Sequence, residues 1–81
     1  MSIRNAKDVM KWSKEEVVEW LKERDLTEAV ESFEKNHITG YDLCFLEKEE
    51  LKNELNIKSI HYQNSILKGV KELLLDQCNY Y

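Results

Sequence analysis

The chain has 81 residues, 42% of them hydrophobic and 35% charged, which corresponds to one small domain with a modest core and little room for a deep substrate cleft. Twelve Lys and Arg residues stand against 16 Asp and Glu residues, and the net charge of −4 argues against phosphate-backbone binding as the main task. There is no pair of Cys-x-x-Cys motifs, so we expect no metal site and no cofactor. No secretory signal precedes the domain, so we expect an intracellular protein, cytoplasmic rather than nuclear. No apolar run approaches the ~20 residues of a spanning helix, so we expect no membrane insertion.

The first predicted helix follows Ser13. Ser13 and Glu16 have the spacing of a capping box, in which each side chain accepts a hydrogen bond from the other residue's backbone. Val17, Trp20 and Leu21 then recur at helical spacing on one face. Residues 1–9 before this helix are polar and lack sustained periodicity. We therefore expect a flexible N-terminal extension over 1–9, a helical domain over 10–76 and a C-terminal tail over 77–81.

The middle of the chain is predicted to form three short helices. Thr27 is a candidate cap for the second helix, which ends near Asn36. Gly40 lets the backbone turn sharply or adopt a positive φ, and a short helical turn follows over residues 43–46. A fourth helix is predicted over residues 47–55. Asn56 after it tolerates the left-handed cap conformation that usually belongs to glycine.

The last predicted helix begins near Ser59 or Ile60 and runs to about Leu75, with a broad apolar stripe along one side. Gly69 interrupts its helix propensity, which predicts that a neighbouring helix approaches closely there. The cysteine at position 44 lies in an apolar run and is interpreted as a small buried hydrophobe. The predicted core consists of Trp12, Val17, Trp20, Leu21, Leu26, Phe33, Ile38, Leu43, Leu46, Leu51, Leu55, Ile57, Ile66, Leu67, Val70 and Leu73.

The order and spacing of these residues resemble a sterile alpha motif (SAM) domain. The similarity is carried by three strings: Trp12-Ser13-x-x-x-Val17-x-x-Trp20-Leu21, Ile38-x-Gly40-x-x-Leu43, and Ile66-Leu67-x-x-Val70-x-x-Leu73. The resemblance implies an all-α fold, a compact five-helix bundle with a long C-terminal helix. It also implies protein–protein association without enzymatic activity. One departure is Gln63, since the family often opens its final helix with an arginine at that position.

Many SAM domains associate head to tail through one surface around the middle helices and another at the start of the final helix. On this chain the resemblance maps these onto oppositely charged residues, which would suit an open-ended association. The alternative is that both sets of charges only maintain solubility, since isolated surface charges contribute little energy. The acidic surface comprises Asp42, Glu47, Glu49, Glu50 and Glu54, and the basic surface comprises Lys58, His61, Asn64, Lys68 and Lys71.

Three classes of function can be weighed. The first is an interaction module that joins a second copy or another SAM domain and scaffolds or localises a larger protein; the sequence leaves the choice of partner open. The second is RNA-hairpin binding, which some members of the family show. The net charge, the missing arginine at Gln63 and the location of both arginines outside that corner weigh against nucleic acid. The third, an enzyme with a small-molecule substrate, lacks any convergent nucleophile, base or metal set.

Overall fold

The computed structural model of the protein describes residues 8–78, with side chains as far as Leu75. Within that range every regular element is helical, which confirms the predicted all-α, five-helix fold. The remaining parts of the predicted extension and tail lie outside the described residues. Two 3-10 turns cover Val9–Lys11 and Thr27–Ala29, and the helices are α1 (Lys14–Glu23), α2 (Val30–Lys35), α3 (Gly40–Cys44), α4 (Lys48–Asn53) and α5 (Ile60–Cys78).

The capping box predicted at the start of α1 is present. The Ser13 Oγ accepts a hydrogen bond from the Glu16 backbone N–H at 3.3 Å, and the Glu16 carboxylate accepts one from the Ser13 N–H at 2.9 Å. These bonds satisfy two donors that the first turn of a helix otherwise leaves without a partner. The start of α5 is also as predicted, because the Ser59 Oγ accepts a hydrogen bond from the Tyr62 N–H at 3.2 Å. The helix runs past Leu75 to Cys78.

The close approach predicted at Gly69 is a contact between α5 and the end of α1. A Cβ atom at Gly69 would lie 2.8 Å from the Arg24 Nε and 3.0 Å from the Trp20 ring. The Arg24 guanidinium lies over that ring, 5.9 Å from its centroid, and pairs with the Glu72 carboxylate at 2.7 Å. The absence of a side chain at Gly69 therefore lets the tryptophan ring pack directly against the α5 backbone.

The glycine at the start of α3 is required by a close approach to the N-terminal turn. No described glycine has a positive φ, so of the two alternatives given for Gly40 the positive φ does not occur. A Cβ atom at Gly40 would overlap the carbonyl oxygen of Val9 and lie 2.7 Å from the Trp12 Cβ. The Gly40 N–H donates to the Trp12 carbonyl at 3.0 Å. This bond fixes the segment before α1 against α3.

Three helices end in residues with left-handed backbone. Asn56 has φ 60°, as predicted, and Asp25 and His37 have φ 64° and 53°. Asn, Asp and His adopt this region more readily than other non-glycine residues. Leu26, which follows Asp25, and Ile38, which follows His37, each donate a backbone N–H to a carbonyl of the preceding helix. Leu26 and Ile38 are apolar, and this is the pattern of a Schellman end. Such ends turn the chain sharply and return an apolar side chain to the core.

Two other local predictions need correction. Thr27 does not cap α2: residues 27–29 form a 3-10 turn preceded by Leu26, which makes no side-chain cap, and α2 begins only at Val30. Val9, assigned from the sequence to the N-terminal extension, is only 1% exposed. Its burial follows from the contact between its 3-10 turn and α3, so the folded part begins before residue 10.

The core lies where the apolar faces of the five helices meet. Of the sixteen residues predicted for it, eleven are buried, and Ile38, Leu46, Ile57, Leu67 and Leu73 are half-buried and packed against the others. Val18 and Ala29 are buried as well, and of these two only Val18 was not predicted to face inward. The described helices have a radius of gyration of 12.0 Å, close to that expected for one folded domain of this length.

Candidate functional site

A groove of about 370 Å³ lies between the end of α2, the outer side of α3, and α4. Tyr41 and Phe45 form its wall, and because they are four residues apart on α3 they lie on the same helix face. Their ring centroids are 5.1 Å apart, and the two residues are 56% and 60% exposed. Ile38, Leu46 and Leu55 also line the groove. We call it the aromatic groove, and its walls place apolar surface in contact with solvent.

Three of the five predicted acidic residues line the aromatic groove, namely Asp42, Glu50 and Glu54. Two of them also cap helices. The Asp42 carboxylate accepts hydrogen bonds from the Thr39 N–H at 3.1 Å and from its hydroxyl at 2.9 Å. The Glu50 carboxylate accepts one from the Glu47 N–H at 2.9 Å. Glu54 follows α4, and its side chain is not used in the capping boxes of the described helices.

The other two predicted acidic residues do not line the aromatic groove. Glu47 is the exposed residue before α4. Glu49 lines a second concavity on the other side of α4, where it is surrounded by lysines. Successive residues of a helix are rotated by about 100°, so Glu49 and Glu50 face different directions. The structure therefore brings Asp42, Glu50 and Glu54 together and separates Glu49 from them.

The second concavity lies between α4 and the start of α5. It is lined by Lys48, Lys52 and Lys58 around Ile60, the first residue of α5, which is 66% exposed. We call these four residues the lysine surface. Only Lys58 among them belongs to the predicted basic surface. The other two lysines are on α4 and were not predicted to belong to a basic surface.

Gln63, at the position of the family arginine, lines the same concavity but is only 3% exposed. Its side-chain amide donates a hydrogen bond to the Ile57 carbonyl at 2.6 Å. This bond satisfies a polar group that burial would otherwise destabilise, and it links α5 to the loop that precedes it. Gln63 therefore has a structural role, and the charge of this surface comes from the lysines around it.

The rest of the predicted basic surface lies farther along α5. Residues 61, 64, 68 and 71 are exposed and follow one another at three- and four-residue spacing, which places His61, Asn64, Lys68 and Lys71 along one face. His61 and Lys68 line a third concavity together with Arg24 and Asp25. From the sequence, Arg24 was expected to lie outside this corner. No local pattern could reveal its position, because the end of α1 brings it there.

Two titratable groups among the described residues have raised pKa values. Burial, and secondarily the negative charge of Asp8, raise the pKa of the Cys44 thiol, which favours the unreactive protonated form. Burial is also the main cause of the raised pKa of the Tyr62 hydroxyl. In the part of the chain that the structure describes, no three His, Cys, Asp or Glu side chains are grouped so that they could hold a metal ion. None of the helices in that part is both long and apolar enough to cross a membrane.

Comparison with known proteins gives one family and several relatives. The profile of the family described as "SAM domain (Sterile alpha motif)" matches residues 9–74. "WD repeat, SAM and U-box domain-containing protein 1" is 38% identical over 65 residues in Danio rerio and 39% over 62 residues in Homo sapiens. "Diacylglycerol kinase eta" of Drosophila melanogaster is 40% identical over 62 residues. These matches cover 76–80% of this chain, but only 13% of the WD repeat proteins and 3% of the kinase.

Proposed function

Because the chain belongs to the sterile alpha motif family, whose domains are non-catalytic protein-interaction modules, we propose that it associates with further SAM domains, in the simplest case with copies of itself. The aromatic groove of one copy receives the lysine surface of the next. The relatives carry the matching segment within much longer chains, one named for WD repeat and U-box domains as well and one named as a kinase. We therefore propose that the module scaffolds or localises a larger protein.

The observation that supports this proposal is the opposite charge of two surfaces on different sides of α4. Asp42, Glu50 and Glu54 line the aromatic groove, whereas Lys48, Lys52 and Lys58 surround Ile60. Opposite charges increase the rate of encounter and set the orientation of two partners. Since the surfaces do not overlap, a copy that has used one still presents the other. A heterologous contact of this kind produces a chain of copies.

The test is the mass of the protein across a concentration series, measured by sedimentation. Glu54→Lys should lower the mass at a given concentration, because it places a cation on the groove that receives the lysines. Glu49→Lys is the matched control, with the same charge change on the other side of α4. It should leave the association unweakened. Rising salt should weaken the contact, because the Debye length falls to about 8 Å at physiological ionic strength.

A mixture of two variants tests the orientation. Glu54→Lys retains a native lysine surface, and Lys58→Glu retains a native aromatic groove, so the mixture should form dimers through the intact pair. Neither variant alone has that pair available. A parent protein that stays monomeric at every concentration would rule out association between copies. Equal weakening by Glu54→Lys and Glu49→Lys would show that net charge, rather than the groove, controls the association.

RNA-hairpin binding is the second candidate. One observation favours it: Arg24 lies beside His61 and Lys68, so three groups that can carry positive charge line one concavity. Two observations count against it. Asp25 lines the same concavity, and the Arg24 guanidinium is already paired with the Glu72 carboxylate. With a net charge of −4 on the whole chain, phosphate contacts there are too few to support tight binding. Protein association is therefore the better supported function.

A further inference from the structure

The side of α5 that faces away from the core carries a second apolar stripe. Successive residues of a helix are rotated by about 100°, so six positions of α5 fall within one arc of about 100°. Ile60 at the start of this stripe and Leu75 at its end are 66% and 58% exposed. Leu67 and Leu74 are half-buried along its edge. We call these residues the α5 outer face: Ile60, Asn64, Leu67, Lys71, Leu74 and Leu75.

Lysines accompany the α5 outer face along its length. The lysine surface encloses the first residue of the face. Lys68 and Lys71 are exposed in its second half, Lys71 within the stripe and Lys68 beside it. Two described acids of α4 and α5 lie near the face: Glu49 lines the concavity of the lysine surface, and the Glu72 carboxylate is paired with the Arg24 guanidinium at 2.7 Å. The face therefore combines exposed aliphatic groups with an excess of positive charge.

We propose that the α5 outer face and the lysine surface together bind an anionic membrane, with α5 lying parallel to the bilayer surface. An amphipathic helix binds in this way when its aliphatic side chains reach the boundary between headgroups and acyl chains and its lysines contact the lipid phosphates. The protein then lies on the membrane and does not cross it. This inference goes beyond association between copies, and only the lysine surface takes part in both contacts.

The charge and spacing of the face argue against a second copy as its occupant. A symmetric contact brings the same patch of two copies together, so the lysines of one copy would oppose the lysines of the other. Ile60 and Leu75 are also about 22 Å apart along the helix axis, at 1.5 Å per residue, and two polar residues of the face lie between them. A seam between two helices needs a closer repeat of apolar residues. A fluid membrane surface can contact separated side chains at the same time.

The chemistry of the face also favours lipid over nucleic acid. Single-stranded bases stack on aromatic side chains and on arginine, and the α5 outer face contains neither. Its exposed apolar groups are aliphatic and its cations are lysines. The stem of a lysine can lie along an apolar surface while its ammonium group stays in water. This combination suits lipid phosphates that lie above acyl chains.

The net charge of −4 does not prevent this contact. The acids that line the aromatic groove lie on the other side of α4 from the lysine surface. At physiological ionic strength, exposed charges farther apart than about 8 Å are largely screened from one another. The lysines that touch the membrane therefore determine the interaction, and the distant acids contribute little to it.

The test is co-sedimentation of the whole 81-residue chain with vesicles at physiological ionic strength. Vesicles of phosphatidylcholine with about a third phosphatidylserine present the anionic surface, and vesicles of phosphatidylcholine alone are the control. The protein is kept below the concentration at which it associates with itself. We expect binding to the anionic vesicles that falls as salt is raised, and little binding to the neutral ones. Equal binding to both kinds of vesicle, or binding to neither, would overturn the inference.

Lys71→Gln tests the position of the contact. One lysine near an anionic surface contributes roughly a fivefold change in the binding constant, so this variant should bind the anionic vesicles about fivefold more weakly. Lys35→Gln is the matched control, because Lys35 is an exposed lysine in the last turn of α2 and the change in charge is the same. It should bind as the parent does. Equal weakening by the two variants would show that net charge, rather than α5, determines binding, and the inference would fail.

Leu75→Gln tests the apolar part of the contact. Loss of one aliphatic group from the membrane boundary should weaken binding roughly 5- to 10-fold. Leu75→Met keeps an apolar side chain of similar size and helix propensity, so it should bind as the parent does. Both variants should unfold at the temperature of the parent, because Leu75 is 58% exposed. If Leu75→Gln binds as tightly as Leu75→Met, the α5 outer face does not lie on the membrane.

Sedimentation without vesicles separates this inference from the proposed function. Lys71 and Leu75 lie outside the lysine surface, so Lys71→Gln and Leu75→Gln should leave the mass unchanged from that of the parent at every concentration. If they lower it, the α5 outer face pairs with another copy and the inference fails. A hairpin RNA that releases the protein from anionic vesicles would make nucleic acid the occupant instead. A parent protein that stays monomeric but binds the vesicles as expected would overturn the proposed function alone.

Discussion

The α1–α5 contact and the aromatic groove both place aromatic side chains on a helix surface, with opposite outcomes. Trp20 is 5% exposed because α5 passes directly over it at Gly69. Tyr41 and Phe45 are 56% and 60% exposed because α3 is only five residues long and α4 does not cover its outer side. Helical spacing of aromatic residues therefore does not reveal whether they stabilise the fold or remain available to a partner. The neighbouring backbone decides this.

The largest difference between the two regions should appear on removal of Trp20. Trp20→Ala leaves a cavity under Gly69 and removes the ring on which Arg24 lies, so we expect a loss of about 3–5 kcal/mol in the free energy of unfolding. This is much of the total for so small a domain. Urea denaturation followed by far-UV circular dichroism measures it. A midpoint equal to that of the parent would show that the ring contributes nothing to the α1–α5 contact.

A smaller loss should come from the inner side of α3. Gly40→Ala introduces a Cβ atom that overlaps the Val9 carbonyl, a backbone atom that cannot rotate away. We expect a loss of about 1–3 kcal/mol from overpacking, measured by the same denaturation. Gly69→Ala is the control, because its Cβ meets side-chain atoms of Arg24 and Trp20 and alanine favours the helix by about 1 kcal/mol. A greater loss of unfolding free energy for Gly69→Ala than for Gly40→Ala would contradict this expectation.

The smallest effect should come from the outer side of α3. Phe45→Ala removes a ring that is 60% exposed, so we expect the free energy of unfolding to change by no more than about 0.5 kcal/mol. Equilibrium unfolding at a concentration too low for association measures it. A loss as large as that of Trp20→Ala would mean that the groove is closed in the free protein, and the contrast between the two regions would disappear.

The parts of the fold that were predictable depend on residues close together in the chain. The capping box of Ser13 and Glu16 spans three residues, and the left-handed backbone of Asn56 follows from one side chain and its place after a helix. The capping boxes at α3 and α4 are equally local, but their caps fall in a stretch without clear periodicity. Thr27 shows the limit of local patterns, because threonine before an apolar run also suits a 3-10 turn.

The parts that were not predictable depend on distant residues. Arg24 and Glu72 are 48 positions apart, and their ion pair exists only because α1 and α5 pack together. The burial of Val9 requires α3, which begins 31 residues later, to start with a glycine. Gln63 was interpreted as a departure from the family pattern, whereas the structure gives its amide the Ile57 carbonyl as a partner. The positions of charged residues around the two surfaces likewise follow from packing rather than from spacing.

The burial of both tryptophans has a spectroscopic consequence. The chain contains two of them, and Trp12 and Trp20 are 4% and 5% exposed. An indole ring in an apolar interior emits at shorter wavelength than one in water, so unfolding shifts the emission of both toward the red. The aromatic residues of the groove are a tyrosine and a phenylalanine, which do not absorb light selected for indole excitation. The intrinsic emission of this protein therefore reports the integrity of the core and leaves the occupancy of the groove unrecorded.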